Sequence, residues 1–364
     1  GPDWERPVSV EFFDPNSDTE FQENAGIRIV GGLSRYPDWK KKAMRLEFRD
    51  IYGPGQLEYP LYGPGNADRI NSLTLRHEFN DSWTGYRVGD RPTYARDKFG
   101  SDTHLAGGHV GVHNHFSHLY INGVYWGVYS LQERPDEVFF ESYFGGDRDQ
   151  YDVLKHCHTD PRCDFPTDVI AGTEDAWNTM ISMTEDVKNA TNESLRTEAF
   201  MKVLGKNPDG TNNPAFETYL NLESYLDYII LNVFLGNTDW PGNNWYAGRL
   251  KGPESVGFSF VPWDGELVMG IGERPLTANV VEGTGGGAPF NVGAAEPIGN
   301  LRFSQEFRIL LADRVQKLLF NEGLLSVDVA NDRFQQIADE LDRAVVAESA
   351  RWGDVYEIPR KIPS

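Results

Sequence analysis

The sequence predicts an α+β fold, with a strand-rich N-terminal part and a mainly helical C-terminal part. In the first third, short apolar runs are separated by Gly and Pro, a pattern typical of strands and turns. The pair Asn122-Gly123 divides two runs rich in aromatic and β-branched residues, which is a strong hairpin signal. From Asp136 onward the apolar spacing becomes helical.

The elements of the first part follow in order. Strands are predicted at Val8–Phe13, Gly26–Val30 and Lys40–Phe48, a helix over residues 93–105, and a hairpin from strands Phe116–Ile121 and Tyr125–Leu131. In the third strand, Met44 and Leu46 alternate with Arg45 and Glu47, as expected for a half-buried strand. The β-rich lobe is predicted to cover residues 1–132.

The remaining residues, 133–364, are predicted to form a helical second lobe of the same unit. Its clearest element is the mostly apolar helix Leu222–Leu235, which stops at Gly236. Two short strands and two amphipathic helices are then predicted at Trp245–Leu250, Gly257–Trp263, 304–320 and 326–350.

Composition excludes several classes of function. The chain has 364 residues, of which 39% are apolar and 13% aromatic, so it can build a large core. Its 55 acidic and 34 basic residues give a net charge of -21, which disfavours nucleic-acid binding and means that a bound nucleotide would need metal ions to offset its charge. No apolar run reaches the roughly 18 residues of a membrane span.

Two cysteines, Cys157 and Cys163, lie in a loop that also contains His156 and His158. They are compatible with a disulfide in an exported protein, a metal site with the histidines, or two free thiols. The compartment therefore stays open, with export or a cell-surface location as one option.

The segment 222–264 contains the residues that indicate chemistry. A buried helix leads to a loop with Asp239 and Asn244 five residues apart, then to a hairpin, and then to Asp264. Protein kinases use this order, with an acid on the catalytic loop and an Asn and Asp that hold Mg²⁺. Phosphoryl transfer requires these types because hard oxygen ligands bind Mg²⁺ and a carboxylate can orient the acceptor hydroxyl. The spacing alone is weak, since Asp and Asn are also common turn formers and helix caps.

The sequence resembles the spore-coat CotH family of atypical protein kinases. The matching segments span about residues 26–270 in the family's order, and they are Lys40-Lys41-Lys42, Arg96-Asp97-Lys98-Phe99, Gly123-Val124-Tyr125-Trp126-Gly127-Val128-Tyr129 with Glu133, Asp239-x4-Asn244, and Val261-Pro262-Trp263-Asp264. The resemblance implies a two-lobed atypical protein-kinase-like fold that binds ATP with Mg²⁺ or Mn²⁺. It implies that Asp239 is the acidic residue of the catalytic loop, and that Asn244 and Asp264 bind metal.

Other site residues depart from the family or are less direct. Where the family commonly has a second Asp, this chain has Glu266, which is the expected additional metal ligand. A first-lobe lysine should contact the phosphates, and strand alternation selects Lys42 because it shares the face of Met44 and Leu46. No G-x-G-x-x-G loop is present, but Gly31 to Arg35 is a candidate phosphate nest.

The helix predicted at 93–105 contains no Glu to pair with that lysine, only Asp97 and Asp102. Glu133 is therefore another candidate partner for Lys42.

The leading hypothesis is an ATP-dependent phosphotransferase acting on a hydroxyl of a protein or small molecule. A kinase-like site does not fix which phosphorus is attacked, so transfer of a nucleotidyl group is an alternative. The alternative from another class is a non-catalytic surface or adhesion module, which the acidic charge and long loops favour. The acceptor and the oligomeric state stay open.

Overall fold

The computed structural model describes residues 4–15, 20–85, 92–156, 167–271, 290 and 292–354. Cys157 and Cys163 lie outside these ranges, so the alternatives for that loop stay open. Within the described residues, no helix combines the length and the apolar character needed to cross a membrane.

The α+β prediction is confirmed, with the strands concentrated in the first part and the helices in the second. The strands are β1 (Arg6–Phe13), β2 (Glu20–Ile29), β3 (Met44–Glu47), β4 (Leu57–Glu58), β5 (Arg69–Ile70), β6 (Ser72–Arg76), β7 (Asn114–Ile121), β8 (Val124–Glu133), β9 (Tyr151–His156), β10 (Thr167–Ala171), β11 (Trp245–Leu250) and β12 (Ser259–Pro262). The α-helices are α1 (Arg96–Ala106), α2 (Glu137–Phe144), α3 (Asp175–Asn189), α4 (Glu193–Val203), α5 (Leu222–Leu235), α6 (Glu296–Leu301), α7 (Gln305–Leu319), α8 (Val327–Leu341) and α9 (Ala344–Trp352).

The N-terminal lobe is built on a six-stranded antiparallel sheet in the order β1-β2-β3-β6-β8-β7. Alternation along the strands gives the sheet one apolar face, where Leu46 of β3 pairs with Leu73 of β6. This face packs against aromatic and aliphatic side chains of the segment between β3 and β6, including Tyr59 and Leu61. The polar face of β3 and β6 therefore lies on the other side.

The second lobe surrounds helix α5, which is buried over most of its length because its sequence is apolar on nearly all sides. A four-stranded sheet in the order β10-β9-β11-β12 packs against it, with Tyr225 and Tyr228 contacting Phe260 of β12. Helix α1 packs between α5 and α8, where Phe99 lies in a cluster with Leu231 and Ile337.

Several boundaries differ from the sequence prediction. The strand predicted from Lys40 begins only at Met44, and the helix predicted over 326–350 is two helices, α8 and α9. The sequence analysis does not predict strands β6, β9 and β10, because each has only five or six residues, and β6 and β9 also pair with strands distant in sequence.

Candidate active site

The loop that follows α5 carries the first candidate residues and is held by the helix itself. Gly236 adopts a left-handed conformation (φ 60°) that ends α5, and its N–H bonds to carbonyls of the last turn. Asn237 donates to the side chain of Asn232 at 2.9 Å and accepts from the N–H of Asp239 at 3.2 Å. The buried Trp240 donates its indole N–H to the hydroxyl of Tyr228 at 2.7 Å. These hydrogen bonds fix the loop from Gly236 to Trp240 against helix α5.

Asp239 and Asn244 lie in direct contact. The Asn244 side-chain amide donates to one carboxylate oxygen of Asp239 at 3.1 Å, and the Asn243 amide donates to the other at 3.2 Å. Asn244 has a left-handed backbone (φ 61°), and its N–H donates to Nδ1 of His156 at 2.9 Å. Asn is among the few residue types that adopt this conformation readily, so the position suits it.

Asp264 reaches the same place from the end of β12. The Asn244 amide lies 3.5 Å from its backbone carbonyl, and Asp264 also has a left-handed backbone (φ 57°). Its side chain is 36% exposed and is therefore accessible to solvent. The structure brings Asp239, Asn244 and Asp264 together, as expected from their order in the sequence.

Arg76, at the end of β6, joins the two lobes at this point and was not identified from the sequence. Its guanidinium pairs with Asp264, with Glu266 at 2.5 Å, and with Asp97 of α1 at 3.5 Å. The alternating segment Leu73-Thr74-Leu75-Arg76 was a signal for a strand ending in a cation. Its partners are 21 to 190 residues away, and nothing local identifies them.

Asp97 connects the helix to the loop after β12. It accepts the N–H of Gly265 at 2.6 Å and the side-chain amide of Gln132 at 2.8 Å, in addition to the ion pair with Arg76. A cation on a central strand paired with an acid on the following helix is the arrangement that protein kinases build from Lys and Glu. In this chain, Arg76 and Asp97 form an ion pair between a strand and the helix that follows it.

Glu266 is buried and fully engaged. One carboxylate oxygen accepts from Arg76, and the other accepts the N–H of Asn80 at 2.7 Å. Burial, followed by the charge of Asp264, raises the pKa of Glu266 to about 8 although Arg76 opposes this. Burial alone lowers the pKa of Arg76, but the surrounding carboxylates outweigh it and raise that pKa well above its usual value. The Arg76 guanidinium is thus shared by three carboxylates, those of Asp97, Asp264 and Glu266.

The first-lobe lysines are oriented differently from the prediction. Lys41, not Lys42, is the buried one, with its ammonium bonded to the carbonyl of Val128 at 2.7 Å and to Glu348 at 2.6 Å. The Lys42 ammonium bonds to the carbonyls of Ser34 and Tyr36 in its own loop. The expected alternation was wrong because β3 begins only at Met44, so residues 41–43 do not follow the strand period.

Two further predicted residues lie apart from the cluster. Arg35 is exposed in a short turn, Leu33–Arg35. Glu133 is buried at the end of β8, where it accepts from the hydroxyl of Tyr143 at 2.6 Å and from the N–H of His113 at 2.9 Å. Its carboxylate serves this network rather than Lys42, and contacts of either residue with a nucleotide stay predictions.

The donor set fits a Mg²⁺ or Mn²⁺ ion carried with a nucleotide. In the described residues, no three His, Cys, Asp or Glu side chains are grouped as a metal site. Mg²⁺ in nucleotide sites does not require such a group, because it is held by one or two carboxylates while phosphates and waters supply the other ligands. The Asn244 amide oxygen and the Asp264 carboxylate are hard donors of this kind.

Comparisons with known proteins give one extensive match. A family model described as "CotH kinase protein" matches residues 27–359. No curated protein matches the chain. A solved chain from the Shewanella oneidensis MR-1 toxin–antitoxin system HipA, HipB and its operator DNA complex is 12% identical, with 78% of this chain and 60% of that chain covered and a TM-score of 0.25. This chain spans only that 60% of the solved one, and so low a TM-score does not define the fold.

Proposed function

The chain belongs to the CotH kinase family, and from this we propose that it is an ATP-dependent phosphotransferase that moves the γ-phosphate to a hydroxyl of a protein or small molecule. Family membership supports a kinase-like phosphotransferase in general. The proposal of ATP, a divalent metal and a hydroxyl acceptor rests on one observation, the convergence of Asp239, Asn244 and Asp264 beside Arg76.

Asp239 is proposed to act on the acceptor. Two amide groups hold its carboxylate from one side, so its orientation is fixed before any substrate binds. A carboxylate placed in this way can align the acceptor hydroxyl and take its proton as the oxygen attacks phosphorus.

Asn244 and Asp264 are proposed to hold the metal that accompanies the nucleotide. The bound ion would offset the negative charge of the phosphates, which is necessary in a chain of net charge -21. Glu266 remains a predicted additional ligand, although both of its oxygens already accept hydrogen bonds.

Arg76 is proposed as the first-lobe cation that faces the phosphates, in place of Lys42. It lies on a strand, pairs with Asp97 of the helix that follows, as the phosphate-binding Lys of protein kinases pairs with a helix Glu, and contacts the candidate metal ligand Asp264 directly. An arginine also suits this place because its guanidinium forms several hydrogen bonds at once.

The test separates the two acids with substitutions that keep shape, Asp239→Asn and Asp264→Asn. Asp264→Asn should lose Mg²⁺-dependent ATP binding measured by calorimetry. Asp239→Asn should keep that binding while phosphate transfer falls by roughly 10²-fold or more, the usual scale for a positioned general base. Asp328→Asn is the control, because it removes a carboxylate from the first turn of α8, outside the candidate site.

The label distinguishes the alternatives. Product labelled from γ-³²P-ATP supports phosphate transfer, whereas product labelled only from α-³²P-ATP would show nucleotidyl transfer. Wild-type transfer by Asp239→Asn, or unchanged Mg²⁺-ATP binding by Asp264→Asn, would contradict these roles. Absence of any ATP binding by the wild-type protein would favour the surface-module reading.

A further inference from the structure

Glu348, near the C-terminal end of the described chain, is fully buried although it is charged. It lies on α9, which packs against strand β8 of the N-terminal lobe. Burying a carboxylate is costly unless its oxygens are paired and hydrogen-bonded. The partners of Glu348 therefore indicate what α9 stabilises.

Three donors from three separate segments meet at this carboxylate. One oxygen accepts from the Lys41 ammonium at 2.6 Å and from the Tyr94 hydroxyl at 3.0 Å, and the other accepts the Val128 N–H at 2.7 Å. Lys41 also donates to the Val128 carbonyl at 2.7 Å, which closes the cluster. Beside it, the indole N–H of Trp352 bonds to the Trp126 carbonyl at 2.6 Å and fixes the end of α9 on the same strand.

Lys41 belongs to the loop 30–43 between β2 and β3, which lies over the end of β6. The Trp39 ring contacts Phe79 with centroids 5.1 Å apart, and Phe79 precedes Asn80, whose N–H holds Glu266. This loop contains the candidate phosphate nest at Gly31 to Arg35. Through Lys41, Glu348 thus anchors the loop whose Trp39 packs beside the segment that holds Glu266.

Tyr94 belongs to the segment that leads into α1, the helix that carries Asp97. Two residues separate Tyr94 from Asp97, and Asp97 holds both Arg76 and the N–H of Gly265. The Trp83 N–H donates to the same Tyr94 hydroxyl at 3.1 Å, which restricts the ring further. Glu348 therefore also contacts the segment that leads into the helix carrying Asp97.

We propose that Glu348 is a positioning residue that sets the loop 30–43 and the start of α1 in register for nucleotide binding. This proposal rests on the proposed function. It predicts that α9 affects the affinity for Mg²⁺-ATP although no residue of α9 is among the candidate site residues.

The test is a double-mutant cycle with Glu348→Gln and Lys41→Met, each checked for folding by circular dichroism. Glu348→Gln keeps the length and an acceptor for the Val128 N–H but removes the charge. We expect KM for Mg²⁺-ATP to rise about tenfold with kcat changed less than about threefold, the scale on which packed networks carry coupling. Because the two residues act through one another, the double variant should be no worse than Glu348→Gln.

Asp227→Asn is the matched control, since it breaks an ion pair with Arg314 between α5 and α7, outside the candidate site. It should lower thermal stability and leave KM unchanged. The same KM increase in this control would show that lost stability alone explains the effect. The proposal would be overturned if the KM increase of the double variant equalled the product of the two single-variant increases, or if Glu348→Gln had the wild-type KM.

Hydrogen exchange gives a readout that does not depend on activity. In the apo protein, Glu348→Gln should speed amide exchange in residues 30–43 and 94–98 but not in α3 or α4. Unchanged exchange in those segments would refute the coupling even if the wild-type protein transferred no phosphate. A wild-type protein that binds no ATP, with exchange altered as expected, would instead refute the proposed function.

Discussion

Replacing Arg76 by leucine should destabilise the protein strongly and make its stability depend on Mg²⁺. The substitution removes the cation shared by Asp97, Asp264 and Glu266, two of which are almost completely buried. Leaving buried carboxylates without their cation typically costs about 3–5 kcal/mol. At the roughly 2 °C per kcal/mol expected for a large domain, the midpoint of thermal unfolding should fall by about 6–10 °C.

Magnesium should restore part of this loss, because the ion binds the native site and can replace the missing charge. Binding at 100 times Kd would contribute about 2.7 kcal/mol, so Mg²⁺ should raise the midpoint more in Arg76→Leu than in the wild-type protein. Arg249→Leu is the control. It removes a buried arginine of β11 that pairs with Glu217, away from the candidate metal ligands. Scanning calorimetry with and without Mg²⁺ measures the unfolding midpoints of the wild-type protein and of the two variants. Equal Mg²⁺ shifts in the two variants, or no loss of stability in Arg76→Leu, would refute the reasoning.

Two further predictions concern a buried lysine and a buried histidine. Lys41→Met should lower the free energy of unfolding by about 3–5 kcal/mol, because it leaves the buried Glu348 carboxylate without its cation. Lys42→Met should change the free energy of unfolding by no more than about 0.5 kcal/mol. Urea unfolding measures both values, and similar losses in the two variants would contradict the prediction. Burial, with a smaller effect of His109, lowers the pKa of His104 to about 3, so the unfolded chain takes up its proton first and stability is lost as pH falls from about 6.5 towards 3. At pH 5 this one group should contribute a loss of about 2 kcal/mol relative to pH 7, so the fall in stability should be smaller by that amount in His104→Leu; an equal fall in the variant and the wild-type protein would show that other groups are responsible.

The sequence was most informative where a long local pattern ended abruptly. Helix α5 and strand β11 have the predicted bounds, because the apolar run of the helix is stopped by Gly236 and the short run of the strand lies between polar turns, so the ends of both elements are marked in the local sequence. The order of Asp239, Asn244 and Asp264 along these elements was enough to predict that they would meet. Their roles in catalysis stay predictions.

Residues whose environment is set by distant segments could not be found in the same way. Glu348 and Lys41 are 307 residues apart, and neither has a local pattern that marks it as buried. Arg76 depends on acids from α1 and from the loop after β12, so only the tertiary fold identifies it as part of the site. Lys42 was chosen by extending a two-residue period beyond the true start of β3, where the backbone no longer follows it.

The direction in which the N-terminal sheet buries its apolar face has a consequence for motion. Leu46 and Leu73 point towards the segment between β3 and β6, so Arg76 lies on the opposite, polar face of the sheet, where it pairs with Asp264 and Glu266 of the second lobe. Val128 of β8 lies in one apolar cluster with Leu231 of α5 and Ile337 of α8, so the two lobes also share hydrocarbon packing that holds them together. Opening the contact at Arg76 would hydrate ionic groups, so we expect the part of the free-energy cost that comes from the Arg76 ion pairs to fall as salt is added.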